Sequence, residues 1–399
     1  MKSFRLLAIA ASCFGSSLWP VLVFSQERID EISRQGHQAV SVTVDAADPQ
    51  LMRLARRGFA MHGGFELVTA QDAAWVARFE KTATGINYRV EAKGGDAVIA
   101  QGSVHGQVLE AMLAALDGIV LQVTKRPGFF QGRLVFVAEP SGNTELYTSD
   151  ILFEAVTPLS NFGAQVVSPR WSPDGRYLVF TSYAATGYPD IVRLDIGEGM
   201  LNTIANYRGV NLGARFSPDG NRLAFVSSSS GTPEIYISRP DGSQAQRFTW
   251  TKGLAATPTW SPDGSQLIFT SDDWGGPQII LLDLAQKRNT RIRTGMGGYN
   301  AEAAWNPLDR DQIAFTAQRN GQFQIALYQF STGKSVQLTS QIGDSVEPVW
   351  LSDGRHLIVT YREGATKRLR ILDSETGKTN DPHTLQLVGA CQADFVGKF

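Results

Sequence analysis

The sequence is dominated by a five-residue motif that returns at a nearly constant interval through its second half. Three copies are intact and two are degenerate: Trp171-Ser172-Pro173-Asp174-Gly175, Phe216-Ser217-Pro218-Asp219-Gly220, Trp260-Ser261-Pro262-Asp263-Gly264, Trp305-Asn306-Pro307-Leu308-Asp309 and Trp350-Leu351-Ser352-Asp353-Gly354. Their aromatic residues are separated by 45, 44, 45 and 45 residues. A fixed period of this size indicates one supersecondary unit repeated along the chain, which restricts the fold to a propeller or another repeat array.

The residues inside each repeat predict four short β-strands. Pro-Asp-Gly favours a tight turn, because Pro presets φ, Asp bonds the nearby backbone and Gly accepts a positive φ. A β-rich run follows each copy of the motif, at 177–181, 223–226, 267–270, 313–316 and 356–360. A polar loop, a third strand and a short fourth strand complete the period. Four strands in about 45 residues are typical of one blade of a β-propeller.

The number of blades follows from the two ends of the repeat region. The run 133–137 resembles the second strand of a blade but has no motif in front of it. Continuing the period by 45 residues beyond Trp350 reaches Phe395, near the C-terminus. We therefore expect six blades, with Phe395 in an innermost strand that joins the sheet of Leu134 and closes the ring. Closure removes the open sheet edges that are a hazard for an all-β chain.

The beginning of the chain resembles a secretory signal peptide. Lys2 and Arg5 precede an apolar stretch, 6–24, and small residues lead to an expected cleavage site after Ser25. The stretch is nearly long enough for a retained membrane anchor, and Cys13 would be the modified residue of a lipoprotein. Ser12, Ser16, Ser17 and Pro20 argue against an anchor. Ala10 and the apolar continuation to Phe24 argue against lipidation, so cleavage and export are expected.

Charge and cysteine content exclude several classes of function. Removing Lys2 and Arg5 with the leader changes the formal charge from −1 to −3, without the strongly basic face that nucleic-acid binding needs. No second hydrophobic run approaches the length of a membrane span. Of the two cysteines, Cys13 leaves with the leader, so Cys391 has no partner for an intramolecular disulfide. A free cysteine in the closing strand is typical of a small buried apolar residue.

A small α/β domain is predicted between the leader and the propeller. Residues 26–38 are polar and charged and are expected to form a mobile arm. From 39 to 126 the pattern predicts a strand at 39–44, a helix at 51–59, a strand at 65–68, a helix at 71–79, a hairpin of 88–92 with 97–103, and a long helix over 108–125. Arg126-Pro127-Gly128 ends this helix, and the propeller takes residues 127–399.

This order of parts resembles the TolB family. The shared features are the signal peptide, the small α/β domain that ends in a long helix, the six-bladed propeller of Trp-Ser-Pro-Asp-Gly repeats, and the inner strand supplied by the C-terminus. The resemblance implies a non-catalytic periplasmic protein of the Tol–Pal envelope system, which supports outer-membrane integrity and cell division. It also implies that one mouth of the propeller binds the peptidoglycan-associated lipoprotein Pal and that an N-terminal arm contacts TolA. The arm 26–38 lacks the hydrophobic, extended character of the family's TolA-binding segment, and the α/β domain is shortened at its front.

The partner-binding site is predicted on the propeller face opposite the Pro-Asp-Gly turns. If each inner strand runs toward its turn, the loops between second and third strands share the other face with the loops that return to the next blade. Such loops commonly carry binding residues. The predicted contacts there are Arg208, Asn211, Lys252, Trp274, Tyr299, Asn300 and Asp344. Arg208, Trp274 and Tyr299 are favoured, because Arg, Trp and Tyr anchor interfaces.

Small or polar residues are predicted to line the central channel. They stand three positions before each aromatic residue of the period: Ser168, Gly213, Thr257, Glu302, Glu347 and Gln392. Glu302 and Glu347 either bind a partner or a cation near the channel mouth or are solvated channel residues. The sequence leaves both interpretations open.

Catalysis is not predicted. The motif carboxylates are interpreted as caps of their turns: Asp174, Asp219, Asp263 and Asp353. His62-Gly63-Gly64 is interpreted as the end of a helix, no Gly-x-Ser-x-Gly motif is present, and the five histidines lack the spacing of metal ligands. No cofactor or metal is expected. The alternatives are an exported propeller enzyme that acts on a carbohydrate or peptide, and a propeller scaffold for an unrelated envelope partner.

Overall fold

The computed structural model describes residues 39–95, 97–139, 142–382 and 388–397. These residues form seven β-sheets and two helices. All of them belong to one unit, His37–Phe399. The predicted signal peptide and arm lie outside the described residues. Within the described part, no helix has the length and apolar character needed to cross a bilayer.

A five-stranded sheet packed against two helices precedes the propeller. Its elements are β1 (Val40–Asp45), α1 (Pro49–Met61), β2 (Phe65–Leu67), β3 (Trp75–Lys81), β4 (Gly85–Ala92), β5 (Val98–His105) and α2 (Val108–Thr124). The strand order is β2-β1-β3-β4-β5, and β1 is parallel to both of its neighbours. The first two predicted strands and the predicted hairpin are confirmed as β1, β2 and the antiparallel pair β4 and β5.

The first and last predicted helices are also confirmed, and specific residues set their ends. Oδ1 of Asp48 accepts hydrogen bonds from the N–H groups of Gln50 (2.8 Å) and Leu51 (3.2 Å), so Asp48 caps the first turn of α1. Helix α2 ends at Lys125, which takes a left-handed φ of 60°. Leu51, on the apolar face of α1, is fully buried in the core formed by the helices and the sheet.

The helix predicted at 71–79 is wrong, because the chain forms β3 there. Ala77 and Phe79 are buried, whereas Arg78 and Glu80 are exposed, so the side chains alternate with the period of a strand. This strand lies between β1 and β4 and pairs with both of them. The segment is too short for its own pattern to separate the two periods, and pairing with the flanking strands decides the outcome.

Six four-stranded sheets follow in the described residues, and each is one blade of the predicted β-propeller. With the innermost strand first, blade 1 consists of β29 (Cys391–Val396), β6 (Arg133–Ala138), β7 (Glu145–Asp150) and β8 (Thr157–Pro158). Blade 2 consists of β9 (Val166–Trp171), β10 (Tyr177–Ser182), β11 (Asp190–Asp195) and β12 (Leu201–Ala205), and blade 3 of β13 (Asn211–Phe216), β14 (Leu223–Ser227), β15 (Glu234–Ser238) and β16 (Gln246–Arg247). Blade 4 consists of β17 (Ala255–Trp260), β18 (Gln266–Ser271), β19 (Gln278–Asp283) and β20 (Arg288–Arg291). Blade 5 consists of β21 (Asn300–Trp305), β22 (Gln312–Arg319), β23 (Gln322–Gln329) and β24 (Lys334–Gln337), and blade 6 of β25 (Asp344–Trp350), β26 (His356–Glu363), β27 (Thr366–Asp373) and β28 (Thr379–Asn380).

The C-terminal strand closes the ring as the sequence predicts. Strand β29 pairs antiparallel with β6, and Phe395 lies opposite Leu134. Cys391 of this strand is buried and free. Burial raises the pKa of its thiol to about 12, so the group is neutral and packs as a small apolar side chain.

The propeller has two different faces. We call the side with the Pro-Asp-Gly turns and the turns between third and fourth strands the turn face. The loop face carries the loops between second and third strands and the loops that return to the next blade. The α/β part packs on the turn face: the N–H of Gly63 donates to Nε2 of His356 (3.0 Å), and Oγ of Ser352 donates to the carbonyl of Gly128 (2.9 Å). Leu351 belongs to the apolar core that both parts share. The loop face is therefore the side away from the α/β part.

Candidate functional site

Six β-bulges ring the channel in the described residues. They fall at the predicted channel-lining positions, which all take a left-handed conformation: Ser168 (φ 55°), Gly213 (φ 61°), Thr257 (φ 49°), Glu302 (φ 54°), Glu347 (φ 55°) and Gln392 (φ 52°). The register between the first and second strand of each blade shifts at these residues. The left-handed conformation was not predicted, since only one of the six is a glycine.

Threonine hydroxyl groups tie most bulges to the preceding blade. At four junctions of the described residues the bulge N–H donates to a threonine Oγ1: Gly213 to Thr181 (3.3 Å), Glu302 to Thr270 (3.2 Å), Glu347 to Thr316 (3.2 Å) and Gln392 to Thr360 (3.0 Å). Where blade 1 carries Val137 at the threonine position, Oε1 of Gln392 accepts from the N–H of Ser168 instead (2.9 Å). We call these contacts the bulge belt, and they fix the spacing of the inner strands.

Glu302 and Glu347 lie side by side in the bulge belt. Oε2 of Glu302 accepts from Oγ1 of Thr316 (2.7 Å) and from the N–H of Glu347 (3.0 Å). Glu347 accepts from Oγ1 of Thr360 (2.8 Å) and from Nε2 of Gln392 (3.1 Å). Burial, and then the neighbouring charge of Glu347, raise the pKa of Glu302. The chain itself therefore holds both carboxyl groups, and a role in binding a partner or a cation stays a prediction.

Two predicted contacts lie where the loop face meets the channel. The ring of Tyr299 packs edge-on against Phe323, with 4.8 Å between the ring centroids. Asp344 accepts from the N–H of Phe323 (2.9 Å) and forms an ion pair with Arg362 (3.3 Å). Burial, and then the charge of Glu302, raise the pKa of the Tyr299 phenol, so this ring stands close to the bulge belt. The rim and the channel are thus continuous here.

Asn211 and Asn300, which were predicted as rim contacts, are buried. Asn211 donates from Nδ2 to the carbonyl of Tyr207 (2.8 Å) and accepts at Oδ1 from Ser227 (2.9 Å). Asn300 accepts at Oδ1 from Thr294 (3.0 Å) and donates to the carbonyl of Gly297 (2.9 Å). Both side chains hold the return loops in place and present no surface to a partner, because polar groups at the start of an inner strand are needed to satisfy loop backbone.

The other predicted contacts, Arg208, Lys252 and Trp274, are exposed on the loop face. They stand among large exposed apolar side chains of the same face that the sequence analysis did not single out: Tyr188, Tyr207, Trp250, Leu254, Ile342 and Val388. Among the described residues of the propeller, the turn face exposes fewer such groups: Met200, Leu201 and Leu308. Their position in return loops was visible in the repeat, but their exposure depends on how neighbouring blades pack.

The motif aspartates cap their turns, as predicted. Oδ1 of each accepts the backbone N–H two residues later: Asp174 from Arg176 (3.1 Å), Asp219 from Asn221 (3.2 Å), Asp263 from Ser265 (3.1 Å) and Asp353 from Arg355 (3.0 Å). The hydrogen bond from the motif serine Ser261 is the largest cause that lowers the pKa of Asp263 to about 2. This carboxylate is therefore a stabilised turn cap with none of the raised pKa expected of a catalytic acid.

The degenerate repeat of blade 6 meets the end of α1 in a buried cluster. Blade 6 has Leu351 where intact repeats have the serine that bonds the motif aspartate. Asp353 instead bonds Nδ1 of His356 (2.5 Å) and lies with it beside His62. Oδ1 and Oδ2 of Asp373 bind the guanidinium of Arg355 next to this group. The change in the repeat is explained by the α/β part that packs on it.

His62, Asp353 and His356 bring three potential metal ligands within 4.8 Å of one another, although nothing in the sequence spacing predicted it. The nitrogen lone pairs are already used: Nε2 of His356 accepts from Gly63 N–H (3.0 Å), and Nδ1 of His62 accepts from Gly64 N–H (3.1 Å). Burial, and then the neighbouring His356, lower the pKa of His62 to about 3, so its ring is neutral near pH 7. The cluster joins the α/β part to the propeller, and a metal would have to displace these backbone donors.

A family model described as the TolB β-propeller domain matches residues 120–387 of the chain. The chain belongs to this family. The crystal structure of TolB from Acinetobacter baumannii aligns with 90% of the chain and 97% of its own length at a TM-score of 0.80 and 24% identity. That of a putative TolB from Agrobacterium tumefaciens aligns with 63% of the chain and 88% of its own length at a TM-score of 0.51 and 20% identity. At these identities the two structures show a shared fold.

Two curated TolB proteins show the relationship in sequence. The protein TolB homolog of Chlorobium chlorochromatii is 31% identical over 152 residues, which are 38% of this chain and 34% of that protein. The Tol-Pal system protein TolB of Desulfosudis oleivorans is 32% identical over 137 residues, which are 34% of this chain and 30% of that protein. The matched segments span about a third of the length of these TolB relatives.

The bulges of this TolB-family propeller lead to a matched pair of stability predictions. We expect Ser168→Gly to raise the free energy of unfolding by about 0.5–1 kcal/mol and Gly213→Ala to lower it by a similar amount, because a left-handed φ strains any residue with a Cβ. No atom lies within 4 Å of a Cβ built on Gly213, so backbone strain alone is tested. Urea unfolding followed by tryptophan fluorescence measures both. Changes of the same sign in the two variants would contradict the assignment.

Proposed function

We propose that this TolB-family protein is a non-catalytic periplasmic component of a Tol–Pal envelope system. Its propeller binds a Pal-like peptidoglycan-associated lipoprotein domain on the loop face and in this way supports outer-membrane integrity and cell division. Family membership supports this proposal, as does the name "Tol-Pal system protein TolB" that relatives carry.

The distribution of exposed apolar side chains carries the proposal. Tyr188 is 70% exposed, Trp250 62% and Ile342 77%, and all three are on the loop face. Exposed apolar groups gathered on one face are typical of a protein-binding surface. The α/β part covers part of the turn face through contacts such as Gly63 with His356, whereas the loop face is the side away from it.

The predicted contact residues fit such a surface in different ways. Arg208, Lys252 and Trp274 are exposed on the same face as the apolar side chains, and aromatic residues with arginine commonly supply most of the binding energy. Tyr299 and Asp344 lie at the rim, next to the channel mouth. Glu302 and Glu347 in the bulge belt would be reached only by a side chain that enters the channel, and Asn211 and Asn300 would act through the loops they hold.

Purified protein is expected to capture the Pal-like domain from the same organism, with the affinity measured by isothermal titration calorimetry. Trp250→Ala and Trp274→Ala are each expected to weaken binding at least tenfold, because each removes a large exposed aromatic group from the loop face. Arg208→Glu tests the contribution of charge at the same surface.

Matched control variants come from the other face. Leu308→Ala and Met200→Ala also remove exposed apolar side chains, 60% and 53% exposed, but from the turn face. They are expected to leave the affinity within twofold of the unmodified protein. If the turn-face controls lost binding while the loop-face variants kept it, the binding surface would lie on the turn face. If the unmodified protein did not capture the Pal-like domain, the proposed partner would be refuted.

Two parts of the proposal concern residues outside the described part. The signal peptide 1–25 would direct export and be cut after Ser25, which N-terminal sequencing of the exported protein measures. The arm 26–38 would contact TolA. Deleting 26–38 from the mature protein should abolish a TolA interaction without changing capture of the Pal-like domain, and an unchanged TolA interaction would contradict that role.

A further inference from the structure

A second ring of inner-strand positions lies two residues beyond the bulge belt, nearer the turn face. Three adjacent blades carry charged residues in this ring: Asp394 in blade 1, Arg170 in blade 2 and Arg215 in blade 3. The remaining blades carry uncharged residues: Thr259, Ala304 and Val349. Three adjacent inner strands therefore carry two guanidinium groups and one carboxyl group at corresponding positions.

The charged residues of this ring differ in how the chain satisfies them. Nη1 of Arg170 donates to the carbonyls of Pro169 (2.8 Å) and Ala393 (3.2 Å). Oδ2 of Asp394 accepts from the N–H of Trp171 (2.8 Å). Asp394 and Nη1 of Arg170 thus bind the backbone of the inner strands, and these two bonds leave Nε and Nη2 of Arg170 unused.

Arg215 is the exception. Its guanidinium makes no hydrogen bond and no ion pair with any residue that the structure describes, although the side chain is only partly exposed. Arg215 occupies on β13 the position that Arg170 occupies on the neighbouring inner strand β9 and that Asp394 occupies on β29. Burial, and then repulsion by Arg170, lower the pKa of Arg215 to about 9. No nitrogen of Arg215 is among the fully buried side-chain atoms that lack a partner, so its donors are open to solvent and to a ligand.

We propose that the channel binds a small oxyanion of the phosphate or carboxylate class between Arg215 and Arg170. The planar donor fork of a guanidinium matches two oxygens of such an anion, and two arginines against one carboxyl group leave a net positive charge at this level. The acidic pair Glu302 and Glu347 stands in blades 5 and 6, across the channel and closer to the loop face. The channel is therefore polarised, with its anion site near the turn face.

The test is titration of the full mature protein with inorganic phosphate, followed by calorimetry and by ³¹P line broadening at constant ionic strength. Acetate is titrated in a second arm, and tighter binding of one probe identifies the class of anion. Arg215→Gln is expected to weaken phosphate binding at least tenfold, while Arg215→Lys, which keeps the charge but loses the fork, weakens it less. Arg288→Gln, an exposed arginine on the outer strand β20, is the matched control and should bind as the unmodified protein does.

A structural role for Arg215 predicts a different result. If the residue mainly stabilised Asp394, Arg215→Gln would melt at a lower temperature in anion-free buffer. If Arg215 is an anion ligand, the melting temperature of Arg215→Gln in anion-free buffer should be unchanged or higher, because the substitution removes repulsion with Arg170. Equal phosphate binding by Arg215→Gln and the unmodified protein, or no binding of either anion by the unmodified protein, would overturn the assignment.

Discussion

A chain that ends at Ala390 will not form a stable propeller. Truncation removes β29, whose residues Cys391, Ala393 and Val396 are buried, and uncovers β6, where Leu134 is fully buried. Each buried apolar side chain that becomes exposed costs about 1.5–3 kcal/mol, so the combined loss is on the order of the whole stability of a typical domain. We expect an aggregated product, or a soluble one without a cooperative thermal transition by circular dichroism.

Complementation separates strand loss from general damage. A synthetic peptide of residues 388–397 added in trans is expected to restore a cooperative transition, because it supplies the same ladder to β6. The matched control peptide carries Ala393→Asp, which places a charge at a buried position. A truncated chain that melts cooperatively at the temperature of the full protein would show that closure by β29 does not stabilise the ring.

Lowering the pH from 7.5 to 5 is expected to remove about 2 kcal/mol of stability through His62 alone. The ring stays neutral in the folded protein, where burial and then His356 lower its pKa from 6.5 to about 3, but it gains a proton in the unfolded chain. The contribution of His62 to the free energy of unfolding is therefore complete above pH 6.5. It declines as the pH falls from 6.5 toward 3, at about 1.4 kcal/mol per pH unit. Urea unfolding at several pH values measures the slope.

Glu302 and Asp394 have raised pKa values, so they increase the free energy of unfolding as the pH falls, opposite to His62. A variant of His62 is therefore needed to isolate its contribution. His62→Asn keeps an acceptor for the N–H of Gly64 but cannot gain a proton, so the pH dependence should flatten. His105→Asn, which changes an exposed histidine on β5, is the matched control and should leave the slope unchanged. A slope that His62→Asn does not alter would contradict a buried neutral ring.

The repeat made most of the fold predictable. Its period located the blades, and extending it to Phe395 identified the closing strand, because each repeat must bury its apolar face against the next one. The helix prediction at 71–79 was wrong because the residues there fit a helix by themselves, whereas pairing with β1 and β4 makes the segment a strand. A short pattern does not contain that tertiary information.

The candidate site was less predictable than the fold. The spacing from each aromatic located Glu302 and Glu347 in the channel, but the left-handed backbone depends on strand register. Asn211 and Asn300 looked like surface residues because their loop contacts are not encoded by spacing. The pairing of His62 with His356 joins distant parts of the chain, so no local motif could have predicted it.

Strand β29 also determines when folding can finish. Of the described strands, β29 is made last, whereas its partner β6 is the first strand of the propeller to be made. The ring stays open until β29 has been made, and the pairing of β29 with β6 bridges nearly the entire propeller sequence, which makes closure a slow, high-contact-order step. Until that pairing forms, blade 1 lacks its innermost strand, and apolar side chains of β6 such as Leu134 stay uncovered.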